Sequence, residues 1–187
     1  MSALPPDTSA TLAEEPVRPR RARGLVDELV DTLGRQIRSG ELKVGDKLRE
    51  VFNTGDLAIV WRGPDYPNPP MMHGLYEYQN GKRISVRPVR VNPDGPMSKA
   101  FDARRPVVAN TRAEMKALGL RDIAGKQPCL STAMVPIYSG ERTLGGIALQ
   151  NLERENAFGE AEVRLLTTVA ASMGVALENA RLFDETQ

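Results

Sequence analysis

The sequence has very little of several residue types on which whole classes of function depend. It holds 1 cysteine and 1 histidine in 187 residues, which excludes an internal disulfide framework, a zinc site of several cysteines and a cluster of histidines. No apolar run approaches the roughly 18 residues that a membrane-spanning helix requires. The N-terminus also lacks the apolar segment of a secretory signal. We therefore expect a cytoplasmic protein that does not enter a membrane.

An excess of charge of one sign is missing as well. Lys and Arg number 25 and Asp and Glu number 24, which leaves a net charge of +1. This balance disfavours nucleic acid as a partner, because a nucleic-acid-binding surface normally needs a basic excess. Hydrophobic residues at 41% and charged residues at 26% fit a globular protein. The length predicts one domain with tails.

The chain divides into three parts. Residues 1–23 contain four prolines and no apolar period, which predicts a disordered tail with a basic end. Residues 24–43 contain an amphipathic pattern with apolar steps of three and four, which predicts an N-terminal helix. Residues 44–187 are then the folded domain.

The domain alternates strand and helix patterns. Residues 46–52 read as a short helix and residues 56–62 as a strand. Two hairpins are predicted, one at residues 73–86 across an Asn-Gly turn and one at residues 131–152. Short helices and a strand are predicted at residues 97–118, between the hairpins. Strands joined by hairpins form an antiparallel sheet, so the fold class is α+β with flanking helices.

The longest predicted element is a C-terminal helix over residues 160–184. Its apolar residues alternate steps of three and four, which is typical both of a coiled-coil seam and of a plain core helix. A seam between two copies of the chain would consist of Leu166, Val169, Met173, Ala176, Ala180 and Phe183. The sequence leaves both interpretations open.

Several stretches of the domain resemble the GAF family. The segment LGGIALQN at residues 144–151 is similar to the closing hairpin of GAF domains, and ALENARLF at residues 176–183 is similar to their final helix. VGDKLREVF at residues 44–52 resembles their beginning. The branch that the chain resembles precedes nucleotide cyclases or histidine kinases in bacteria. The resemblance implies a GAF/PAS-like fold and a sensory, non-catalytic role as a homodimer. Its last helix would relay a signal to an output domain or partner protein.

The resemblance also implies a small-molecule pocket between the sheet and the middle helices. The aromatic, cationic and soft side chains that would line it are Trp61, Tyr76, Tyr78, Arg83, Met134 and Tyr138, with ordinary packing as the alternative for each. No cofactor can be named. Cys129 has no neighbouring histidine for bilin attachment, and the isolated His73 does not indicate a haem or metal site. We assign no catalytic residue and no metal ligand.

Two alternatives remain open. Residues 25–48 are similar to the opening of GntR-type winged-helix regulators, although the helix-turn-helix of that family does not follow. A DNA-binding regulator with a GAF effector domain is therefore the second hypothesis. A small redox enzyme that uses Cys129 is the third, and it lacks the second thiol that normally resolves such chemistry.

Overall fold

The computed structural model describes residues 44–62 and 66–185, and its centre is one antiparallel sheet of seven strands. In chain order, the elements are α1 (Val44–Phe52), β1 (Leu57–Arg62), β2 (Met71–Gln79), β3 (Lys82–Arg83), β4 (Val89–Arg90), α2 (Pro96–Asp102), β5 (Val107–Ala109), α3 (Arg112–Ala117), β6 (Ser131–Ser139), β7 (Arg142–Asn151) and α4 (Glu160–Glu185). The predicted α+β fold is confirmed. The predictions for the tail and the N-terminal helix lie outside the described residues, as does the GntR-like segment except for residues 44–48, which belong to α1.

The sheet joins the two predicted hairpins through one central strand. The strand order is β3-β2-β1-β7-β6-β5, and β4 pairs with the beginning of β2. The first hairpin turns at Asn80 and Gly81, whose φ values of 51° and 71° are the left-handed conformation that this dipeptide tolerates. The second hairpin turns at Gly140, where φ is 55°. Because β1 pairs with both β2 and β7, side chains of all three strands form continuous rows across the sheet.

The return strand of the first hairpin is shorter than predicted. We expected it to extend over residues 82–86, but β3 ends at Arg83 after pairing with Tyr78. Beyond it, the chain leaves β2 and returns to the beginning of that strand as β4, where Val89 pairs with Met72, and Val86 and Val89 line a cavity on one face of the sheet. The shortening therefore provides part of the cover of that face.

The other face of the sheet packs against α1 and α4. Its core comprises Leu48, Leu57, Ile59, Tyr76, Val135, Ile137, Ile147, Leu149, Leu166, Val169, Ala170 and Met173. Tyr76 is 2% exposed, and its hydroxyl donates a 2.6 Å hydrogen bond to Asp46 of α1. This tyrosine therefore links the first helix to the sheet. None of the described helices combines the length and apolarity that crossing a membrane would require.

The apolar stripe of α4 faces its own sheet and not a second copy of the chain. Leu166, Val169 and Met173 are 0%, 1% and 3% exposed within the single chain. Their surface is already covered by β6 and β7, so these three residues are not free to form the predicted seam, and the core interpretation holds for them. Ala176 is half-buried against the same core. The side chains of Ala180 and Phe183 lie outside the described part of the structure.

Gly174 lets α4 approach β6 closely, and we expect Gly174→Ala to destabilise the domain. A Cβ atom at this position would overlap the carbonyl oxygen of Tyr138, a backbone atom that cannot swing aside. At a helix position without tertiary contacts, replacing glycine with alanine would stabilise the helix by about 1 kcal/mol, because alanine has the higher helix propensity. Here we expect the free energy of unfolding in urea to fall by about 2 kcal/mol through overpacking.

The control for this substitution is Ala171→Gly on the exposed side of α4. It measures helix propensity alone, and we expect a loss of about 1 kcal/mol. If Gly174→Ala instead raised the free energy of unfolding, the close approach of α4 to β6 would be contradicted.

Candidate functional site

A cavity lies on the sheet face opposite α1 and α4. Its volume is about 220 Å³. Small side chains make the space, because Ala58 of β1 lies beside Ala148 of β7 in the centre of the sheet. The same row continues to Glu77 on β2 and to Met134 on β6. The row thus has a carboxylate at one end, a thioether at the other, and room between them.

The cavity wall is largely apolar and soft. Four of the seven methionines in the chain line it, namely Met72, Met97, Met115 and Met134. Phe101 of α2 adds an aromatic ring and packs on Gly146, where a Cβ atom would lie 2.5 Å from the ring. The absence of a side chain at Gly146 thus makes room for this ring. Methionine side chains are flexible and polarizable, so such a wall adapts to the shape of an apolar ligand.

A buried ion pair forms one end of the cavity. The Lys126 Nζ atom lies 3.6 Å from the Glu77 Oε2 atom, and both side chains are 7% exposed. Burial raises the pKa of Glu77, and the nearby Lys126 ammonium partly opposes that increase in pKa. The 3.6 Å distance is too long for a hydrogen bond. Within the described part of the chain, the buried Oε2 atom has no hydrogen-bond donor.

The segment that carries Lys126 is tied to β2 by amide groups. The Gln79 side chain donates to the Gln127 carbonyl oxygen and accepts from the Gln127 N–H, each at 3.0 Å. The Asn80 side chain donates to the Gln127 side-chain oxygen at 3.1 Å. These hydrogen bonds hold Lys126 beside Glu77.

Arg112 anchors the same segment at a second point. It follows Thr111, which caps α3 together with Glu114 in a reciprocal capping box. The guanidinium donates two 2.9 Å hydrogen bonds to Asp122, and hydrogen bonding to Arg112 holds the pKa of that carboxyl below its usual range. Arg112 also donates to the Cys129 carbonyl oxygen at 3.2 Å. Its charge is thus neutralised at the cavity wall.

Two further arginines at the cavity differ from Arg112. Arg87 and Arg121 line the cavity and are exposed, which places them at its mouth. Among residues 44–62 and 66–185, neither arginine has an ion-pair partner. Both carboxylates of the wall are already paired with Lys126 and Arg112, so the mouth carries two uncompensated positive charges.

Only one of the six predicted pocket residues lines this cavity. Met134 does so, whereas Tyr76 and Tyr78 lie on the helix-covered face and stack with their ring centroids 4.8 Å apart. Arg83 lies over the Tyr76 ring at 5.3 Å from its centroid. The prediction followed aromatic residues, and on a strand these share the face opposite to Glu77.

The remaining two predicted residues also lie elsewhere. Trp61 is half-buried near the end of β1, and the Tyr138 ring lies 4.5 Å beneath the guanidinium of Arg104. Neither lines the cavity described above. Sequence reasoning also missed Glu77 and Lys126. The sequence signal for Glu77 was its position between Tyr76 and Tyr78. Successive residues of a strand point to opposite faces of the sheet, so Glu77 faces away from the layer that buries the two tyrosines.

Cys129 and His73 are the single cysteine and the single histidine of the chain, and their side chains were considered for redox chemistry and for haem or metal binding. Cys129 lies half-buried on the cavity wall, where its Sγ atom is 4.0 Å from the Met115 Sδ atom, and burial raises the pKa of the thiol. His73 is half-buried on β2. In the part of the chain that the structure describes, no three His, Cys, Asp or Glu side chains are grouped to hold a metal ion.

Solved structures with low sequence identity share this fold. The free methionine-R-sulfoxide reductase from Neisseria meningitidis, in complex with its substrate, matches with a TM-score of 0.66 and 15% identity over 87% of this chain and 91% of that chain. The GAF domain of an Acinetobacter phosphoenolpyruvate-protein phosphotransferase has a TM-score of 0.62 and 13% identity, over 83% and 93% of the two chains.

A phycocyanobilin-bound GAF domain from a cyanobacterial phytochrome matches with a TM-score of 0.59 and 12% identity over 84% of this chain and 96% of that chain. No curated protein sequence matches this chain. The family model of the GAF domain matches residues 42–178, which is well over half of the sequence. The chain therefore belongs to the GAF domain family.

Proposed function

We propose that this chain is a non-catalytic sensory module that binds a small molecule in the cavity between the sheet and residues 84–130. The observation that carries the proposal is the Oε2 atom of Glu77, a buried acceptor at an apolar cavity that has no donor among the described residues. A buried polar atom without a partner costs free energy, and a ligand that donates a hydrogen bond would recover it.

The strands offer a direct route from the cavity to α4. Met134 and Ala148 face the cavity, while the adjacent Val135 and Leu149 face the core that contains α4. A ligand that moves β6 or β7 would therefore change the packing of the helix on the other side. An output domain or partner protein would receive the change through α4. The proposal also includes a homodimer, formed through a surface that does not include the buried residues Leu166, Val169 and Met173.

Related folds hold small molecules, both in a ligand-binding domain and in a redox enzyme. A phytochrome GAF domain is bound to phycocyanobilin, and the Neisseria reductase is in complex with its substrate. For this chain, the raised pKa of Cys129 disfavours the thiolate that redox chemistry requires. The cavity is therefore better suited to holding a ligand than to reducing one.

Methionine methyl groups give a direct test of binding in the cavity. We expect at least one of benzyl alcohol, benzoate and benzylamine to shift the methyl resonances of Met72, Met97, Met115 and Met134 in protein labelled with [methyl-13C]methionine. The resonance of Met173 should not shift, because this residue packs on the other face of the sheet. Native mass spectrometry of the purified protein adds a search for a ligand acquired in the cell.

A cavity-filling variant is the control for this experiment. Ala148→Leu places a larger side chain between Ala58 and Met134, and it should abolish the shifts while leaving the Met173 resonance in place. If none of these three compounds, and none of the hydroxylated compounds described below, shifts a cavity methionine at millimolar concentration, the proposed binding role is contradicted.

A further inference from the structure

We infer that the ligand is a one-ring aromatic carboxylate bearing a hydroxyl group, with its ring in the cavity, its carboxylate at Arg87 and Arg121, and its hydroxyl at Glu77. This inference rests on the proposed binding function and names the ligand class. Four observations lead to it: the size of the cavity, the chemistry of its wall, the charge at its mouth and the orphan acceptor inside.

The size of the cavity admits one ring and little more. An apolar protein cavity of about 150 Å³ holds a benzene molecule, with its six carbon atoms. The volume here is about 220 Å³. In the same proportion, it holds roughly nine non-hydrogen atoms. Polycyclic ligands and nucleotides exceed this number, whereas a ring with two small substituents fits it.

The wall chemistry favours an aromatic ring over a sugar or another polar body. Four thioethers and the Phe101 ring surround the space, together with aliphatic side chains. Sulfur atoms and aromatic rings both make favourable contacts with a further aromatic ring. A ligand with many hydroxyl groups would lose its hydrogen bonds to water against this wall, since few polar groups face it.

The charge at the mouth favours an anionic group on that ring. Arg87 and Arg121 are the two cavity arginines without an ion-pair partner among the described residues. Guanidinium groups bind carboxylates through paired, charge-assisted hydrogen bonds. A ligand cation would instead meet two like charges. The carboxylate of the ligand therefore belongs at the mouth, where it also keeps part of its hydration.

Two residues of the cavity lining, Glu77 and Gln150, each carry a buried acceptor oxygen without a hydrogen-bond donor in the described structure, and such acceptors favour a neutral donor on the ligand. Glu77 is 6% exposed and lines the cavity, and its Oε2 atom has no hydrogen-bond donor in the described structure. A ligand hydroxyl can donate to this oxygen without adding charge. An ammonium group would also donate, but it would bring a second cation close to the buried Lys126.

Four matched compounds test the inference through their dissociation constants, measured from the methionine methyl shifts. They are 4-hydroxybenzoate, 4-hydroxybenzamide without the charge, benzoate without the hydroxyl, and 4-hydroxybenzylamine with the opposite charge. We expect 4-hydroxybenzoate to bind at least about tenfold more tightly than each of the other three. The double variant Arg87→Gln/Arg121→Gln should bind the acid and the amide equally.

Two control variants separate a local effect from a general one. Arg90→Gln/Arg105→Gln removes the same charge from exposed sites that do not line the cavity, and it should keep the preference for the acid. Glu77→Leu/Lys126→Met should keep that preference and lose the preference for the hydroxyl compound. Both variants must retain the Met173 resonance as evidence that the sheet and α4 are intact.

The outcomes distinguish this inference from the proposed function. If the cavity methionines shift but the amide or the amine binds as tightly as the acid, the inference is overturned and the binding function stands. If benzoate matches 4-hydroxybenzoate, the role of Glu77 is overturned. If none of the compounds, charged or neutral, shifts a cavity methionine, the proposed function itself fails.

Discussion

Replacing Met173 with glutamate should lower the free energy of unfolding in urea by about 4 kcal/mol. Met173 is 3% exposed and packs in the core that α4 forms with β6 and β7. The substitution removes the apolar contacts of the side chain and places a carboxylate among the apolar residues of that core. Burying such a charge is costly, so the folded state loses a large part of its free energy of unfolding.

Val175→Glu is the matched control, because it introduces the same charge two residues further along α4. Val175 is 62% exposed, so its substitution should leave the unfolding transition almost unchanged. If α4 instead used Met173 as a seam between copies, Met173→Glu would produce a stable monomer. Light scattering beside the urea titration measures both quantities, and a folded, stable Met173→Glu monomer would contradict the packing described here.

Local sequence patterns predicted most of the elements because each pattern reflects a local physical requirement. The Asn-Gly pair at residues 80 and 81 requires positive φ at both positions, and the hairpin turns there. The apolar stripe from Leu166 to Met173 requires a buried helix face, and α4 provides it. The stripe could not show what covers it, since a sheet and a second helix present similar apolar surfaces.

The candidate site was harder to predict because it depends on which face of a strand meets which layer. Alternation places Tyr76 and Tyr78 on one face and Glu77 on the other, but it does not say which face carries a cavity. The cavity arises from Ala58 and Ala148, two small residues that only strand pairing brings together. Lys126 lies 49 positions after Glu77, in a segment without periodicity, so its partnership depends on tertiary folding.

The buried pair of Glu77 and Lys126 leads to the second large effect. Lys126→Met should lower the free energy of unfolding by about 3 kcal/mol, because it leaves the Glu77 carboxylate buried without its cation. Adding Glu77→Gln should recover most of this loss, because the charge that lacked a partner is then gone. A double-mutant cycle from urea titrations at pH 7 measures the coupling between the two side chains.

Glu160 and Arg164 are the control pair for that cycle. They lie one turn apart on α4 with side chains 94% and 79% exposed, and their closest charged atoms are 3.9 Å apart. Water screens such a pair, so the corresponding cycle with Glu160→Gln and Arg164→Met should show no resolvable coupling. If the losses from Glu77→Gln and Lys126→Met simply add, as for the exposed pair, the buried ion pair is contradicted.

The pH dependence of stability tests independently whether burial or the Lys126 charge dominates the pKa of Glu77. Burial raises the pKa of Glu77 above that of the unfolded chain, so the folded state holds this proton to higher pH. The stability that this proton provides is fully present below the unfolded pKa, about 4.3 for glutamate, and is lost as the pH rises through the folded pKa. The stability of the wild type relative to Glu77→Gln should therefore fall as the pH increases from about 4.3. A relative stability that instead increases over this range would mean that Lys126 stabilises the carboxylate more than burial opposes it.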